Sequence, residues 1–209
     1  MKISFAIWMQ RTVLIAASSA LLLTACNSVA TTRYHTLSNH DGRASKVASS
    51  VTNQDGEAIV IEVLPVHTAD ALASAQLMLR SRNGGMESSA ADRWTTPLPQ
   101  ELRTAISLGL QERLGAVDSY GVPGAERLKR LQVSIALARA DVSTNGYFSA
   151  VVQWTVRAMP SEEVLIGRTN INLDIADDAD GQVIAFQRLS NSVVADVAVA
   201  VRALSLSFR

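Results

Sequence analysis

Apolar and polar residues alternate strictly through the second half of the chain. Apolar residues occupy every other position in segments 131–137 and 148–156, and segment 165–175 alternates in the same way through Leu165, Thr169, Ile171, Leu173 and Ile175. This period of two predicts three strands joined into an antiparallel meander, with one dry and one polar face. The polar face is solvated or docks another protein. It carries Gln132, Ser134, Gln153, Thr155, Arg157, Arg168, Asn170 and Asn172.

Two further segments carry apolar residues at helical spacing. A stripe from Leu102 to Leu114 at intervals of four predicts a helix that begins near Pro99 and stops at Gly115. Residues 180–206 repeat such a stripe and predict a second helix that covers the dry face. The predicted fold is α+β, an antiparallel sheet with two helices packed on one face in a two-layer sandwich.

Shorter strand patterns fill the first half of the chain. They lie at 33–37, 58–64 and 76–81, and the turn Asn83-Gly84-Gly85 predicts that residues 86–90 return as a hairpin partner. Between the first two patterns, residues 38–57 are polar enough to predict a mobile loop. We therefore expect a tether over 26–57 and a single domain over 58–209.

The N-terminus has the pattern of a bacterial lipoprotein signal. Lys2 and Arg11 precede an apolar run that ends at Leu23-Thr24-Ala25-Cys26, which resembles a lipobox. Cleavage would remove residues 1–25 and leave Cys26, the chain's single cysteine, to carry acyl and diacylglycerol lipid. A plain signal peptide is the alternative. Asn27, by resemblance to other bacterial lipoproteins, favours the outer membrane and its periplasmic face.

Composition excludes several classes of function. Residues 1–25 hold two basic and no acidic side chains, so 17 basic and 19 acidic side chains remain after cleavage, with no basic stripe for nucleic acid. The three histidines lack metal spacing, and no nucleophile motif accompanies the neighbouring His40 and Asp41, so we expect neither a metal nor catalysis. The segment 177–181 resembles a calcium loop but lacks its essential carboxylates, which favours helix capping.

Candidate contact residues are few. Trp94, beside Arg93, is either a core residue or a binding anchor. The apolar segment 77–79 is either ordinary core or a surface for a lipid tail. We name as possible partner or lipid contacts Trp94, Arg80, Gln153, Arg157 and Arg168.

The order of short motifs resembles the PqiC-type lipoproteins, the ABC-type transport auxiliary family. The resemblance rests on the lipobox, Tyr34–Leu37, Ile61–Pro65, Gln76–Arg80, Asp92–Trp94 with Pro97-Leu98, and the helix to Leu114. Two departures concern residues 66–75, where the family usually has a Tyr-Leu-Asp-Arg-like run, and Thr96, where it often has an acidic residue.

The resemblance implies a non-catalytic auxiliary subunit of an intermembrane lipid transport system. It would dock the periplasmic conduit of an MCE-domain protein to the outer membrane, with or without forming a homo-oligomer. The alternative is a lipoprotein that binds lipid or lipopolysaccharide during outer-membrane assembly.

Overall fold

The computed structural model describes residues 31–38, 59–80, 85–143 and 146–207. The predicted signal, Cys26, His40, Asp41 and most of the polar loop lie outside the described residues. The described residues include two α-helices, α1 (Leu98–Leu114) and α2 (Ala179–Ser207). The strands are β1 (Arg33–His35), β2 (Val60–Val63), β3 (His67–Thr68), β4 (Gln76–Arg80), β5 (Met86–Trp94), β6 (Val117–Asp118), β7 (Arg130–Ser143), β8 (Tyr147–Met159) and β9 (Val164–Asp174).

The fourteen-residue strand β7 organises the sheet. Along one side it pairs with β8, and β8 pairs with β9, both antiparallel, which confirms the predicted meander. Along its other side the short strands β2, β3 and β4 follow one another, all parallel to β7. β6 pairs with β2, while β5 pairs with β4 and β1 with β5. The sheet is therefore mixed, and the first half of the chain completes it.

Both helices cover one face of this sheet, as the sequence predicts. The stripe of α1 at Leu102, Ile106, Leu110 and Leu114 is buried, and the helix ends where Gly115 adopts a φ of 61°. That left-handed conformation suits glycine, which has no Cβ to clash.

The longer helix α2 lies over β8 and β9. Phe186 packs edge-to-face on Phe148 of β8, with ring centroids 5.1 Å apart, and also on Trp94, at 5.7 Å. By length and composition α2 could also cross a membrane, yet half of its most apolar window is buried in this fold. Its valines form helix because packing outweighs their low propensity.

A close approach at Gly109 sets the contact between the helices. A Cβ added at Gly109 would lie 2.8 Å from Cγ2 of Val194, inside van der Waals distance. The two helices therefore approach more closely at this point than a larger residue would allow.

Asp118 joins α1 to the sheet. Its carboxylate accepts hydrogen bonds from Arg103 (2.9 Å) and Ser107 (2.6 Å) of α1, and from the backbone N–H of Val63 (3.1 Å) and Tyr120 (3.0 Å). Arg103 also lies over the Tyr120 ring, 4.3 Å from its centroid. These charged hydrogen bonds fix the loop after α1 against β2.

Candidate functional site

The polar residues of the meander share the sheet face opposite the helices. Their register places Ser134 beside Thr155, Gln132 beside Arg157, and Gln153 beside both Ala136 and Arg168. The sequence prediction of one polar face is therefore correct. Its use as a docking face stays a prediction.

A shallow cavity of about 510 Å³ opens on this face. Side chains of β7, β8 and β9 surround it, and His67 of β3 closes one side. Ile166 borders it and is 78% exposed. The lining therefore combines hydroxyl and amide groups, one imidazole, one guanidinium and two aliphatic side chains. Its outer-face members are His67, Ser134, Ala136, Gln153, Thr155, Ile166 and Arg168.

The other side of the sheet supports the cavity rigidly. The Trp154 ring lies across Gly167, where an added Cβ would fall 2.1 Å from Cζ2 of the indole. The Trp154 Nε1–H donates to Oγ1 of Thr169 (3.1 Å), whose hydroxyl donates to Asp196 of α2 (2.6 Å). This chain of hydrogen bonds ties β8, β9 and α2 together directly behind the cavity.

The five candidate contact residues separate into distinct environments. Gln153 and Arg168 line the cavity, and Arg157 lies on the same face with Glu162 at 2.6 Å. Arg80 ends β4, where its backbone pairs with Met86 and Ser143.

Trp94 is a buried core residue in this structure, so it is not an exposed contact residue. It is only 2% exposed and belongs to the core, where its ring packs on Phe186. Of the two interpretations of Trp94, the core one describes this structure. A docking partner would have to open the helix–sheet interface to reach the ring.

A second cluster of polar residues fixes the chain where it enters the domain. Both oxygens of Glu101, in the first turn of α1, accept two hydrogen bonds each. The donors are the hydroxyl of Thr36, the backbone N–H of Leu37, and both the hydroxyl and N–H of Thr96, at 2.8–3.0 Å. Thr96 is a departure from the family pattern, and an acidic residue there would face Glu101.

Asp92 of β5 makes the neighbouring attachment. It pairs with Arg33 (2.8 Å) and His35 (3.0 Å) of β1 and accepts a hydrogen bond from the Ser89 hydroxyl (2.9 Å). His35 also lies 3.9 Å from Asp180 at the start of α2. Polar side chains thus connect β1 to β5, and the His35 ring lies close to the start of α2.

Serine, histidine and aspartate meet here, but in an order that does not activate a nucleophile. In a catalytic triad the histidine lies between the serine and the carboxylate. Here Asp92 lies between Ser89 and His35, so the Ser89 hydroxyl donates to the carboxylate and has no imidazole base. The cluster is an attachment between strands.

Among the described residues, two carboxyl groups have lowered pKa values for related reasons. Burial of Asp92 opposes its charged form, but hydrogen bonds from His35, Arg33 and Ser89 outweigh burial and hold its pKa below the usual value. Burial likewise opposes ionisation of Glu62, and hydrogen bonds from Arg130 and Gln132 bring its pKa below the usual value. The Asp92 hydrogen bond in turn raises the pKa of Arg33.

The acidic segment before α2 caps the helix. The Asp178 side chain accepts a hydrogen bond of 2.7 Å from the backbone N–H of Gly181, three residues on. This is the geometry of an N-terminal cap, as the sequence predicts. Within the part of the chain that the structure describes, no three acidic, histidine or cysteine side chains are placed to hold a metal ion.

Comparison with known families decides the wider assignment. The family of ABC-type transport auxiliary lipoprotein components matches residues 36–198. The chain belongs to this family. The match begins directly after β1 and extends to most of α2, so the cavity and the residues Asp92 and Glu101, which hold the β1 segment, lie within the family domain.

Solved structures agree on the fold. One uncharacterized protein aligns with a TM-score of 0.63 at 16% identity, covering 82% of this chain and 99% of its own. A Xanthomonas campestris protein aligns with a TM-score of 0.52 at 13% identity, covering 66% and 82%. Among curated protein sequences, none matches this chain. The likenesses show that these chains share a fold.

Sequence reasoning missed the Glu101 and Asp118 clusters. An acid in the first turn of a helix is common and indicates a favourable charge near the helix N-terminus. Glu101 is in fact only 4% exposed and has four donors, which come from residues as distant as Thr36. For the neighbouring Asp92 attachment, the one available signal was the place of Asp92 in the motif Asp92–Trp94.

Proposed function

We propose that this protein is the outer-membrane-anchored auxiliary subunit of an MCE/ABC-type intermembrane lipid transport system. In this role it performs no catalysis and docks the periplasmic conduit to the membrane. The observation that carries the proposal is the family match over residues 36–198. The lipobox at Cys26 and the following Asn27 support attachment to the outer membrane.

The polar sheet face supports a docking role for the domain. Arg168 and the exposed Ile166 flank a cavity whose other outer-face members carry no carboxylate. Arginine beside exposed aliphatic surface is typical of the residues that dominate protein interfaces. The conduit protein would lay an extended or sheet-edge segment across this face, and Gln153 would supply hydrogen bonds at its centre.

The attachment of β1 supports the anchoring role. The segment that follows the lipidated Cys26 enters the domain at β1, where Asp92 and Glu101 hold it through charged hydrogen bonds. Hydrogen bonds to charged groups are stronger than neutral ones. β1 pairs with β5 through only three residues of backbone. The charged hydrogen bonds of Asp92 and Glu101 therefore add to the attachment of this membrane-proximal strand.

Site-specific photo-crosslinking tests the docking role. We expect a photoreactive residue at Gln153 to capture an MCE-domain protein in intact cells, identified by mass spectrometry. The same residue at Glu112, an exposed position of α1, is the matched control and should capture none. Equal capture at both positions, or capture at Glu112 alone, would contradict the assignment of the face.

Native mass spectrometry distinguishes the alternative function. A lipoprotein that binds lipid or lipopolysaccharide would retain one such molecule after extraction in a mild detergent. The proposed docking subunit should be recovered carrying its covalent lipid alone. A stoichiometric non-covalent lipid would favour the assembly function instead.

A further inference from the structure

β9 forms the longest open edge of the described sheet. On the other side, the sheet ends in the two-residue β6 and in the three-residue β1, which pairs with the last three residues of β5 and leaves the shorter segment 86–91 open. β9 runs for eleven residues in unbroken register with β8, without a bulge or proline. Natural proteins protect exposed edges with short strands, bulges or prolines, because a long flat edge pairs readily with another strand.

The backbone groups available at this edge can be assigned. The N–H of Ile175 donates to Gly146, and the carbonyl of Glu163 accepts from Ala158, so odd-numbered residues direct their backbone groups toward β8. Backbone direction alternates along an antiparallel strand. Even-numbered residues from Val164 to Asp174 therefore direct both N–H and C=O toward the free edge.

We infer that β9 pairs antiparallel with β9 of a second copy about a two-fold axis at Ile171. In this register Arg168 lies opposite Asp174 of the second copy, and Asn170 lies opposite Asn172, each twice by symmetry. All four are even-numbered, so their backbone groups meet as hydrogen-bonded pairs. Neither Arg168 nor Asp174 has an ion-pair partner within the described residues.

Side-chain charge selects this register over its neighbours. Moving the axis to Asn170 sets Arg168 opposite Asn172 and leaves both charges without a counter-charge. Moving it to Arg168 sets two arginines against each other, which is destabilising. The axis at Ile171 is the one that gives β9 two opposite-charge pairs across the edge.

On the sheet face that carries the helices, the surface beside β9 also exposes apolar side chains that a second copy could cover. Ile171 and Leu173 are only half-buried there, and Val199 of α2 is 64% exposed. Because α2 lies over β8 and β9, its axis and that of its symmetry mate would be about 10 Å apart, two strand spacings. Packed helices are separated by about 8–10 Å. Pairing would therefore bring Val199 and the small, half-buried Ala195 of both copies together.

One consequence is a continuous polar face across two molecules. The sheets would join edge to edge, so both cavities would open on the same side. This pairing is independent of the transport role, since it depends on β9 and α2 alone.

A charge-exchange series tests the register in the detergent-solubilised full chain. By analytical ultracentrifugation we expect the unaltered protein to be dimeric. Arg168→Asp and Asp174→Arg should each place like charges opposite one another and weaken association by about tenfold or more. The double variant Arg168→Asp/Asp174→Arg exchanges the charges and should recover dimerisation. Circular dichroism confirms that each variant is folded.

The series has clear contrary results. A chain that stays monomeric, or an oligomer that neither single reversal weakens, overturns the proposal. Failure of the double variant to recover association overturns it as well. Neither result depends on whether Gln153 captures a conduit protein, so the two proposals fail separately.

Cysteine cross-linking gives a second measure. Ile171 would face its own copy as a non-hydrogen-bonded pair with Cα atoms about 4.5 Å apart, within disulfide range. Ile171→Cys should therefore form a disulfide dimer under mild oxidation. Glu112→Cys on α1 is the control, and the unaltered chain, in which the proposed lipid would block the Cys26 thiol, gives the background. Equal cross-linking at both positions overturns the proposed axis.

Discussion

Glu101 holds two distant segments of the chain through one side chain. It is 4% exposed, and its four donors come from Thr36, Leu37 and Thr96. A buried carboxylate is tolerated only when such partners replace its hydration. Because these donors lie up to 65 residues away in the chain, the sequence around Glu101 shows an ordinary helix start.

Glu101→Gln tests this attachment. The amide keeps one oxygen and turns an N–H₂ group toward donors, so up to two hydrogen bonds are lost. We expect the free energy of unfolding to fall by about 2–3 kcal/mol, measured by urea denaturation. Glu112→Gln, at an exposed position of the same helix, should change it by less than about 0.5 kcal/mol. Equal losses of unfolding free energy in the two variants would contradict the role of Glu101 in holding the segment that contains Thr36 and Leu37.

The lowered pKa of Asp92 makes stability depend on acidity. A carboxyl whose pKa is lower in the folded state stabilises the fold above its unfolded pKa of about 3.9 and loses that contribution as pH falls through the folded value. Asp92→Asn should be less stable than the unaltered protein at pH 7 and should lose less stability between pH 5 and pH 2.

Thermal melting across that pH range measures the difference. Asp70→Asn, at an exposed position, is the control and should follow the unaltered protein. Curves for Asp92→Asn that run parallel to the unaltered protein at every pH would contradict the assigned attachment.

At the scale of elements, local pattern predicted the meander and both helices. Alternating burial in β7 and β8 and the buried stripe of α1 are repeated every few residues, so each short window carries the signal. The parallel pairing of β2, β3 and β4 with β7 has no such signal. The paired residues are distant in sequence, and β3 is too short to show a period.

Gly109→Ala tests the contact between the helices. Alanine raises helix propensity by up to about 1 kcal/mol, but its Cβ would clash with Val194. We expect a net loss of about 1–2 kcal/mol in unfolding free energy. In a Val194→Ala background the same substitution should cost clearly less, because the clash is gone. Additive effects in the double variant would argue against a direct contact.

At the scale of the molecule, the candidate site was predicted in part. The polar face was predicted as a set, because strand alternation places its residues together. The cavity was not, since it depends on His67 of β3 and on how far Ile166 projects from the edge strand. Trp94 was ambiguous in sequence, because a tryptophan beside an arginine occurs in cores and interfaces alike.

Membrane attachment should depend on Cys26 alone. We expect Cys26→Ser to leave a folded domain with an unchanged melting temperature, recovered in the soluble fraction, and to abolish the proposed function in lipid transport. Asn27→Asp, which keeps the lipid, should instead move the protein from the outer to the inner membrane in density-gradient fractions. A Cys26→Ser protein that still supported the outer-membrane barrier at normal levels would contradict the anchoring role.

The attachment of β1 has a mechanical consequence. The β1 strand runs parallel to β5, and its contacts with Asp92, Thr95 and Glu101 follow one another along its length. Tension along β1 would shear these contacts together, whereas peeling would break them one at a time. In a domain stretched between a lipid and a partner, these contacts would therefore share the load along β1.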